Sequence, residues 1–377
     1  MKISYVTDYN AADIRNWSGL GFYIAKTLSN QGNEIDYIGD LSHRAEMLYK
    51  AKKLLYRAVG KNYLWNREPA ILKSLSRQAT RKVREDSDII FSPGTLPVAF
   101  MNSRKPKVIY TDAVFAEMID YYSFCTNLCS STIRNGNLVE QHALDSCSLA
   151  VFSSEWAAQS AIKHYNTPAH KVKVVPFGAN IECNRTTEDI KAIIKSKSSA
   201  KCVLLFLAVE WKRKGGDKVM EVARLLNEGG LETEVHIAGI RNLPMETVPP
   251  YVINHGFISK STDEGKRKLD SLFEQSHFLI LPSEADCTPV VFSEANSYGL
   301  PVISTKTGGI PSIVLDNING HTFSLEDSPE KFANWIEDLF ADRMSYEQLA
   351  LESFNTYNNR LSWKAAGNNL QQLLLSL

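Results

Sequence analysis

Short apolar runs alternate with longer stretches of helical periodicity along the whole chain. Twelve runs rich in Val, Ile, Leu and Phe, four to seven residues long, have the length and composition of buried strands. They cover residues 2–7, 34–38, 88–92, 107–111, 149–153, 171–175, 202–208, 234–238, 252–256, 277–281, 301–305 and 321–324. Because helical patterns separate these runs, the chain is predicted to form parallel sheets with helices on both faces.

The runs fall into two sets of six, which predicts two sheets. Between the sets, residues 180–200 are polar and rich in Lys, Ser and Thr, which indicates a linker and a solvated helix. The 377 residues are enough for two domains with separate cores. We therefore predict an α/β protein of two Rossmann-like domains, residues 1–180 and 181–360, followed by an amphipathic helix over residues 361–377.

Composition excludes some partners and compartments. Forty-two basic and 42 acidic residues give no net charge, so bulk electrostatics do not support a nucleic-acid partner. The six cysteines follow no metal-ligand or disulfide spacing, which favours free thiols in a reducing compartment. The N-terminus starts as a strand, and no apolar run approaches the ~20 residues that span a bilayer. We expect a cytoplasmic protein, located at the inner membrane face if it is peripheral.

Charge is concentrated in residues 43–84, which contain twelve Lys or Arg and two Glu. Apolar residues recur there at roughly helical spacing, at Met47, Leu48, Ala51, Leu54, Leu55 and Val59. One interpretation is a surface for anionic lipid or for an anionic, lipid-linked acceptor. The other is a pair of surface helices whose apolar stripe packs on its own domain and whose lysines are solvated.

Two carboxylates follow the apolar run at residues 277–281. Asp286 lies in the loop after the run, and Glu294 comes eight positions later. If residues 290–298 are helical, both carboxylates lie near the positive end of that helix. Backbone N–H groups there bind phosphate, while carboxylates accept from sugar hydroxyls. The alternative is a loop cap at Asp286 and a solvated helix residue at Glu294.

A cationic turn follows the run at residues 202–208. Lys212, Arg213 and Lys214 stand directly before Gly215 and Gly216, at the predicted start of a helix. Glycines permit close approach, and clustered cations at a helix start favour binding of a diphosphate. The alternative is a basic turn whose cations face water.

Together these motifs resemble glycosyltransferase family 4, whose members are retaining, sugar-nucleotide-dependent enzymes with the GT-B fold. The resemblance is carried by Pro282-Ser283, Asp286, Glu294-Ala295, Gly299-Leu300-Pro301-Val302, Gly308-Gly309-Ile310-Pro311 and the cationic turn. Two residues depart from the family pattern: Asp286 stands where Glu is usual, and Pro289, which has no N–H, stands in a loop that usually carries small glycines.

The resemblance implies two Rossmann-like domains facing across a cleft, with the last helix returning to the first domain. It implies that Lys214 and Arg213 stabilise the departing diphosphate, and that Thr288, Val290 and Val291 supply phosphate contacts. Glu294 would then accept from ribose hydroxyls, and Asp286 from hydroxyls of the transferred sugar. It further implies retention of anomeric configuration. We expect no cofactor, and no metal because the cations neutralise the leaving group.

Further positions are assigned by the same resemblance. Ser18 and Gly19 match a glycine-rich turn that lines the cleft opposite the donor phosphates, and a plain helix-start turn is the alternative. The family frequently carries a histidine at or near the position of Asp112, close to the reacting sugar. The alternative role of Asp112 is to cap the next helix. Ile258 lies in a strand-end segment whose backbone faces the nucleobase. A dinucleotide fingerprint is not favoured, because Ile24 stands where its third glycine is needed.

These observations predict transfer of a sugar from a nucleoside diphosphate sugar to a glycan or lipid-linked acceptor. Two other functions use the same contacts. A non-hydrolysing nucleotide-sugar epimerase needs no acceptor, and a non-catalytic sugar-nucleotide-binding protein would be consistent with the changes at Asp286 and Pro289. The sequence leaves the base, the sugar and the acceptor open.

Overall fold

The computed structural model describes residues 1–43 and 46–377, and the side chains of Glu46 and Met47 lie outside the description. The chain divides into two compact units. Unit 1 comprises Met1–Pro176 and Trp363–Leu377, and unit 2 comprises Phe177–Ser362. These bounds lie within a few residues of those derived from the sequence. No helix in the described part of the chain has the length and apolar character needed to cross a bilayer.

Unit 1 contains a six-stranded parallel sheet in the order β2-β1-β3-β4-β5-β6. Its strands are β1 (Lys2–Val6), β2 (Glu34–Ile38), β3 (Ile89–Ser92), β4 (Lys107–Thr111), β5 (Leu149–Phe152) and β6 (Val172–Val174). Its first six helices are α1 (Leu20–Asn30), α2 (Glu46–Ala58), α3 (Pro69–Lys82), α4 (Phe115–Met118), α5 (Ser130–Ser146) and α6 (Glu155–Tyr165).

Unit 2 repeats this architecture with the strand order β12-β11-β10-β7-β8-β9. Its strands are β7 (Cys202–Leu207), β8 (Thr233–Ala238), β9 (Val252–Asn254), β10 (Phe278–Leu281), β11 (Val302–Thr305) and β12 (Gly320–Phe323). The helices of this unit are α7 (Thr187–Ser196), α8 (Gly216–Glu228), α9 (Asp263–Gln275), α10 (Val290–Asn296), α11 (Pro329–Ala341) and α12 (Arg343–Thr356). Every residue of β10 is buried, as a central parallel strand requires.

The last helix, α13 (Trp363–Leu375), belongs to unit 1, although it follows unit 2 in the chain. It packs on α1: the Trp363 ring stacks on Tyr23 with centroids 6.4 Å apart, and Gln31 Nε2 donates to Asn368 Oδ1 at 3.1 Å. The predicted α/β fold class and all twelve predicted strands are confirmed.

The structure corrects the expectation of a solvated helix between the two sets of strands. α7 begins with a capping box between Thr186 and Asp189, and its Ile190 and Ile194 are buried in the core of unit 2. One face of the helix is therefore part of the domain.

All six cysteines are free thiols, and five of them are buried. Burial raises the pKa of the Cys125 and Cys147 thiols to about 11. These thiols therefore stay protonated and unreactive near neutral pH.

Candidate active site

The strand order of unit 2 determines where its loops converge. From β7 the chain adds β8 and β9 on one side, and it then crosses to add β10, β11 and β12 on the other. The order therefore reverses between β7 and β10, and a crevice forms beyond the carboxyl ends of two such strands. The cationic turn follows β7 and the Asp286 loop follows β10, so the topology brings the two predicted halves of the site together.

Lys214 and Asp286 form an ion pair across this crevice. Lys214 Nζ donates to Asp286 Oδ2, and both side chains are largely buried, with 12% and 11% of their area exposed. Arg213 Nη1 lies 3.7 Å from the same carboxylate oxygen. A carboxylate removed from water requires such cationic partners. The structure therefore contradicts the alternative of water-facing cations for Arg213 and Lys214, whereas Lys212 is exposed.

Arg213 also anchors the turn to the facing loop. Its Nη1 donates to the carbonyl of Ala285 at 2.8 Å, and its Nη2 donates to Glu210 Oε1 at 2.7 Å. The hydrogen bonds from Arg213 lower the pKa of Glu210, which keeps that carboxylate ionised. The backbone is joined as well, since the Glu284 N–H donates to the Arg213 carbonyl at 2.8 Å.

Gly215 is required by the close approach of the two loops. Its φ is +77°, and a Cβ atom at this position would lie 2.3 Å from the carbonyl oxygen of Pro282. Only glycine tolerates both the left-handed backbone and this contact. The Gly215 turn therefore holds the preceding cations against the Asp286 loop, and α8 begins directly after it.

Glu294 is the second buried carboxylate of this region. It lies one turn inside α10 with 1% of its side chain exposed, and Lys260 Nζ contacts its two oxygens at 2.5 and 2.6 Å. The alternative of a solvated helix carboxylate is therefore wrong. Asp286 pairs with Lys214 and Arg213, contacts that the loop-cap alternative does not include.

Sequence reasoning missed Lys260. It lies in the loop after β9, 34 positions before Glu294, and only the sheet brings the two residues together. The available signal was its position: a cation in a loop that follows a strand joins the same edge of the sheet as the other loops. Ile258 is half-buried in the same loop and packs against the core of unit 2.

Thr288, Val290 and Val291 lie where α10 begins. Thr288 is buried, and its hydroxyl donates to the Cys287 carbonyl at 2.7 Å. Pro289 occupies the N-cap position, so Val290 and Val291 are the first two helical residues. N–H groups at these positions have no carbonyl partner within a helix, which makes them donors for an anion.

The remaining predicted residues lie in unit 1. Trp17, Ser18 and Gly19 have consecutive left-handed φ values of 45°, 54° and 83°, and α1 begins immediately after them. Such backbone strain in non-glycine residues is typical of functional turns. The turn follows β1, next to the point where the strand order of this sheet reverses between β1 and β3.

Asp112 directly follows β4 and is half-buried. α4 begins at Phe115, and Val114 rather than Asp112 occupies its N-cap position. Asp112 is thus two residues before the N-cap position, and its role as a hydroxyl acceptor stays a prediction.

The described part of the chain contains no group of three or more His, Cys, Asp or Glu residues positioned to hold a metal ion. The cations around Asp286 and Glu294 are instead Arg213, Lys214 and Lys260. This region can thus offer positive charge to a diphosphate and carboxylate oxygens to hydroxyls, provided that its internal ion pairs open.

Comparison with known proteins shows what this chain is similar to. Residues 201–342 match the model of the glycosyl transferases group 1. A D-inositol 3-phosphate glycosyltransferase of Corynebacterium diphtheriae is 24% identical over 252 residues, which cover 63% of this chain and 58% of that protein. An uncharacterized 41.2 kDa protein in the cps region of Klebsiella pneumoniae is 21% identical over 81% of this chain and 84% of its own.

Solved structures share the two-domain fold. HepE of Anabaena, crystallised with UDP, superimposes with a TM-score of 0.67 at 14% identity over the full length of both chains. WaaG, a glycosyltransferase involved in lipopolysaccharide biosynthesis, gives a TM-score of 0.65 at 14% identity over 99% of each chain. At these identities the likeness shows the fold alone. The chain therefore has the GT-B fold, and its residues 201–342 are similar to the group 1 glycosyl transferases.

Proposed function

We propose that this protein transfers a glycosyl group from a nucleoside diphosphate sugar to an acceptor hydroxyl, with retention of anomeric configuration. One observation carries the proposal: at the carboxyl edge of the unit 2 sheet, two buried carboxylates are each held by lysine, Asp286 by Lys214 and Glu294 by Lys260. Such pairs supply both kinds of group that a sugar nucleotide needs, cations for its diphosphate and acceptors for its hydroxyls.

Donor binding exchanges the partners within these pairs. Lys214 and Arg213 turn from Asp286 to the diphosphate, and the released Asp286 accepts from hydroxyls of the sugar. Glu294 accepts from the ribose hydroxyls, and Lys260 moves away from Glu294 to allow this. Lys260 has room to move because 44% of its side chain is exposed. Backbone N–H groups of Val290 and Val291 and the Thr288 hydroxyl contact phosphate oxygens.

In the transfer step the bond between the anomeric carbon and the phosphate oxygen breaks as the acceptor oxygen attacks the same face. Negative charge grows on the departing phosphate, where Lys214 and Arg213 stabilise it. The acceptor proton passes to an oxygen of that phosphate, so no covalent enzyme intermediate is needed. The acceptor side is assigned to unit 1, with Ser18 and Gly19 at its strained turn and Asp112 accepting from a hydroxyl. Metal independence stays a prediction.

For the donor nucleoside we propose uridine, since structures with the same fold were solved with UDP and UDP-glucose. For the acceptor we propose a glycan or a lipid-linked saccharide, in keeping with the relative named for lipopolysaccharide biosynthesis. The epimerase and the non-catalytic binding protein are less favoured, because the matched family and the named relatives are glycosyltransferases.

The proposal is tested by thermal unfolding with a panel of UDP, GDP and ADP sugars, because a ligand of the folded state raises the unfolding temperature. We expect the uridine nucleotides to raise it in the native protein and Lys214→Ala to abolish the increase. Lys212→Ala is the matched control, since Lys212 is exposed in the same turn. Turnover is then assayed with glycan acceptors, and a product with the inverted anomer would contradict retention.

A further inference from the structure

The outward face of α2 exposes an unusual amount of aliphatic surface. Leu48, Leu54 and Leu55 of α2, and Val59 directly after it, are 69–75% exposed. Isolated exposed leucines are common, but several in one place form a patch of the kind that marks an interaction site. We call these four residues the α2 apolar face. The structure thus contradicts the interpretation in which this stripe packs on its own domain.

A different side of α2 attaches the helix to unit 1. Tyr49 packs against the core, and Lys52 Nζ lies 2.6 Å from Glu68 Oε1 and 4.6 Å from the centre of the Tyr63 ring. Tyr56 stacks on Tyr63 with centroids 5.4 Å apart. An ordinary surface helix buries its aliphatic stripe and exposes its polar side. Here the aromatic and charged side is attached, so the aliphatic side is left for a partner.

Charge identifies the partner. Lys50, Lys53 and Arg57 are exposed. At 100° per residue they lie next to Leu54 and across the helix from the rest of the α2 apolar face. An aliphatic arc on one face and basic residues on the polar face are the pattern of a helix lying in the interface of an anionic bilayer. A second copy of the chain fits less well, because pairing two such faces brings like charges together.

A neighbouring loop extends the surface. Lys61 Nζ donates to Asn127 Oδ1 at 2.6 Å, and the Asn62 N–H donates to the Asn127 carbonyl at 3.0 Å, so the chain after α2 is joined to the loop before α5. That loop carries Phe124, which is 57% exposed and stacks on Tyr122. An exposed aromatic ring beside an aliphatic helix face is suited to the boundary between headgroups and acyl chains.

We propose that the α2 apolar face and Phe124 insert shallowly into an anionic lipid surface, with Lys50, Lys53 and Arg57 at the level of the headgroups. The loop that carries Phe124 follows α4, and Asp112 lies just before α4, so docking places this part of unit 1 close to the lipid. Docking itself does not depend on glycosyl transfer. Only the consequence that the acceptor is lipid-linked rests on the proposed function.

The test is co-sedimentation of the whole protein with vesicles, in the absence of donor. We expect binding to phosphatidylcholine vesicles that contain about one third phosphatidylglycerol, and much weaker binding to phosphatidylcholine alone. The double variant Leu54→Glu, Leu55→Glu should lose at least about tenfold in affinity, and Lys53→Glu, Arg57→Glu a similar factor. The matched control is Met344→Glu, an equally exposed apolar residue of unit 2, which should bind like the native protein.

Each outcome decides the proposal. The proposal is overturned if the native protein does not bind anionic vesicles or if the α2 variants bind them with native affinity. It is also overturned if Met344→Glu weakens vesicle binding as much as the α2 variants do. A concentration-dependent dimer that Leu54→Glu dissociates, without vesicle binding, would assign the face to a second copy instead. Because all the substituted side chains are exposed, the variants should unfold at the native temperature, which separates lost docking from lost folding. A failure of the transferase assay would leave the vesicle result intact.

Discussion

Each of the two units contains its own parallel six-stranded sheet, but the candidate functional residues of the two units differ in burial and charge. Unit 2 buries carboxylates, Asp286 and Glu294, and pairs them with lysines at the carboxyl edge of its sheet. Unit 1 exposes aliphatic side chains on α2 and holds a strained turn at Ser18. Buried charge and exposed apolar surface are both costly in a protein that has no partner for them. This difference underlies the two proposals, a small polyanionic ligand at unit 2 and an extended lipid surface at unit 1.

The largest effect is expected from removing the cation that meets the diphosphate. Lys214→Ala should lower the transfer rate by about 10²–10³-fold, because it removes charge stabilisation at the leaving group. The measurement is kcat with a saturating nucleotide sugar, and Lys212→Ala should retain near-native kcat. Equal activity of the native protein and Lys214→Ala would show that Lys214 does not act in the site. It would also contradict the assignment of unit 2 as the diphosphate-binding unit.

The next effect concerns the turn that carries the cations. Gly215→Ala should cost about 3 kcal/mol of unfolding free energy, because the added Cβ meets the Pro282 carbonyl and φ is left-handed. Gly230→Ala is the control, since Gly230 also has a left-handed φ, +95°, but open space around it. Denaturant unfolding should show a smaller loss, about 1 kcal/mol, for the control. Equal losses would mean that the contact with Pro282 contributes nothing.

Unit 2 should also lose stability in mild acid through His277. Its Nδ1 accepts from the Val203 N–H at 3.0 Å, and burial lowers its pKa to about 4. Between this value and the ordinary value near 6.5 the unfolded chain binds the extra proton, so stability is full above pH ~6.5 and declines as the pH falls towards 4. The loss is roughly 2 kcal/mol, measurable by unfolding across this range. His277→Gln should flatten the pH dependence, and an unchanged slope would assign it to other groups.

The smallest effect should come from Lys260. Lys260→Met leaves Glu294 buried without its cation, which we expect to cost about 1 kcal/mol, a modest value because Lys260 is partly exposed. The same variant removes the side chain that the ribose must displace. Nucleotide should therefore raise the unfolding temperature more in Lys260→Met than in the native protein. A smaller increase would show that Lys260 contacts the nucleotide and does not compete with it.

Much of the fold was predictable because buried parallel strands are continuous apolar runs, whatever surrounds them. The family resemblance located Lys214 and Asp286, and the strand order explains why they meet. The pairing of Lys260 with Glu294 was not predictable, because no local pattern links positions that far apart. The orientation of α2 could not be predicted from the sequence either, since an amphipathic pattern does not determine which face of the helix packs on unit 1. Tyr49, Lys52 and Tyr56 decide it through their partners in the fold.

The central claim is an exchange of partners, in which the donor diphosphate takes Lys214 from Asp286. A crystal structure with bound UDP-sugar tests it most directly. We predict Lys214 Nζ within ~3 Å of a phosphate oxygen and Asp286 facing a hydroxyl of the sugar. A nucleotide bound elsewhere, with the ion pair between Lys214 and Asp286 intact, would contradict the account.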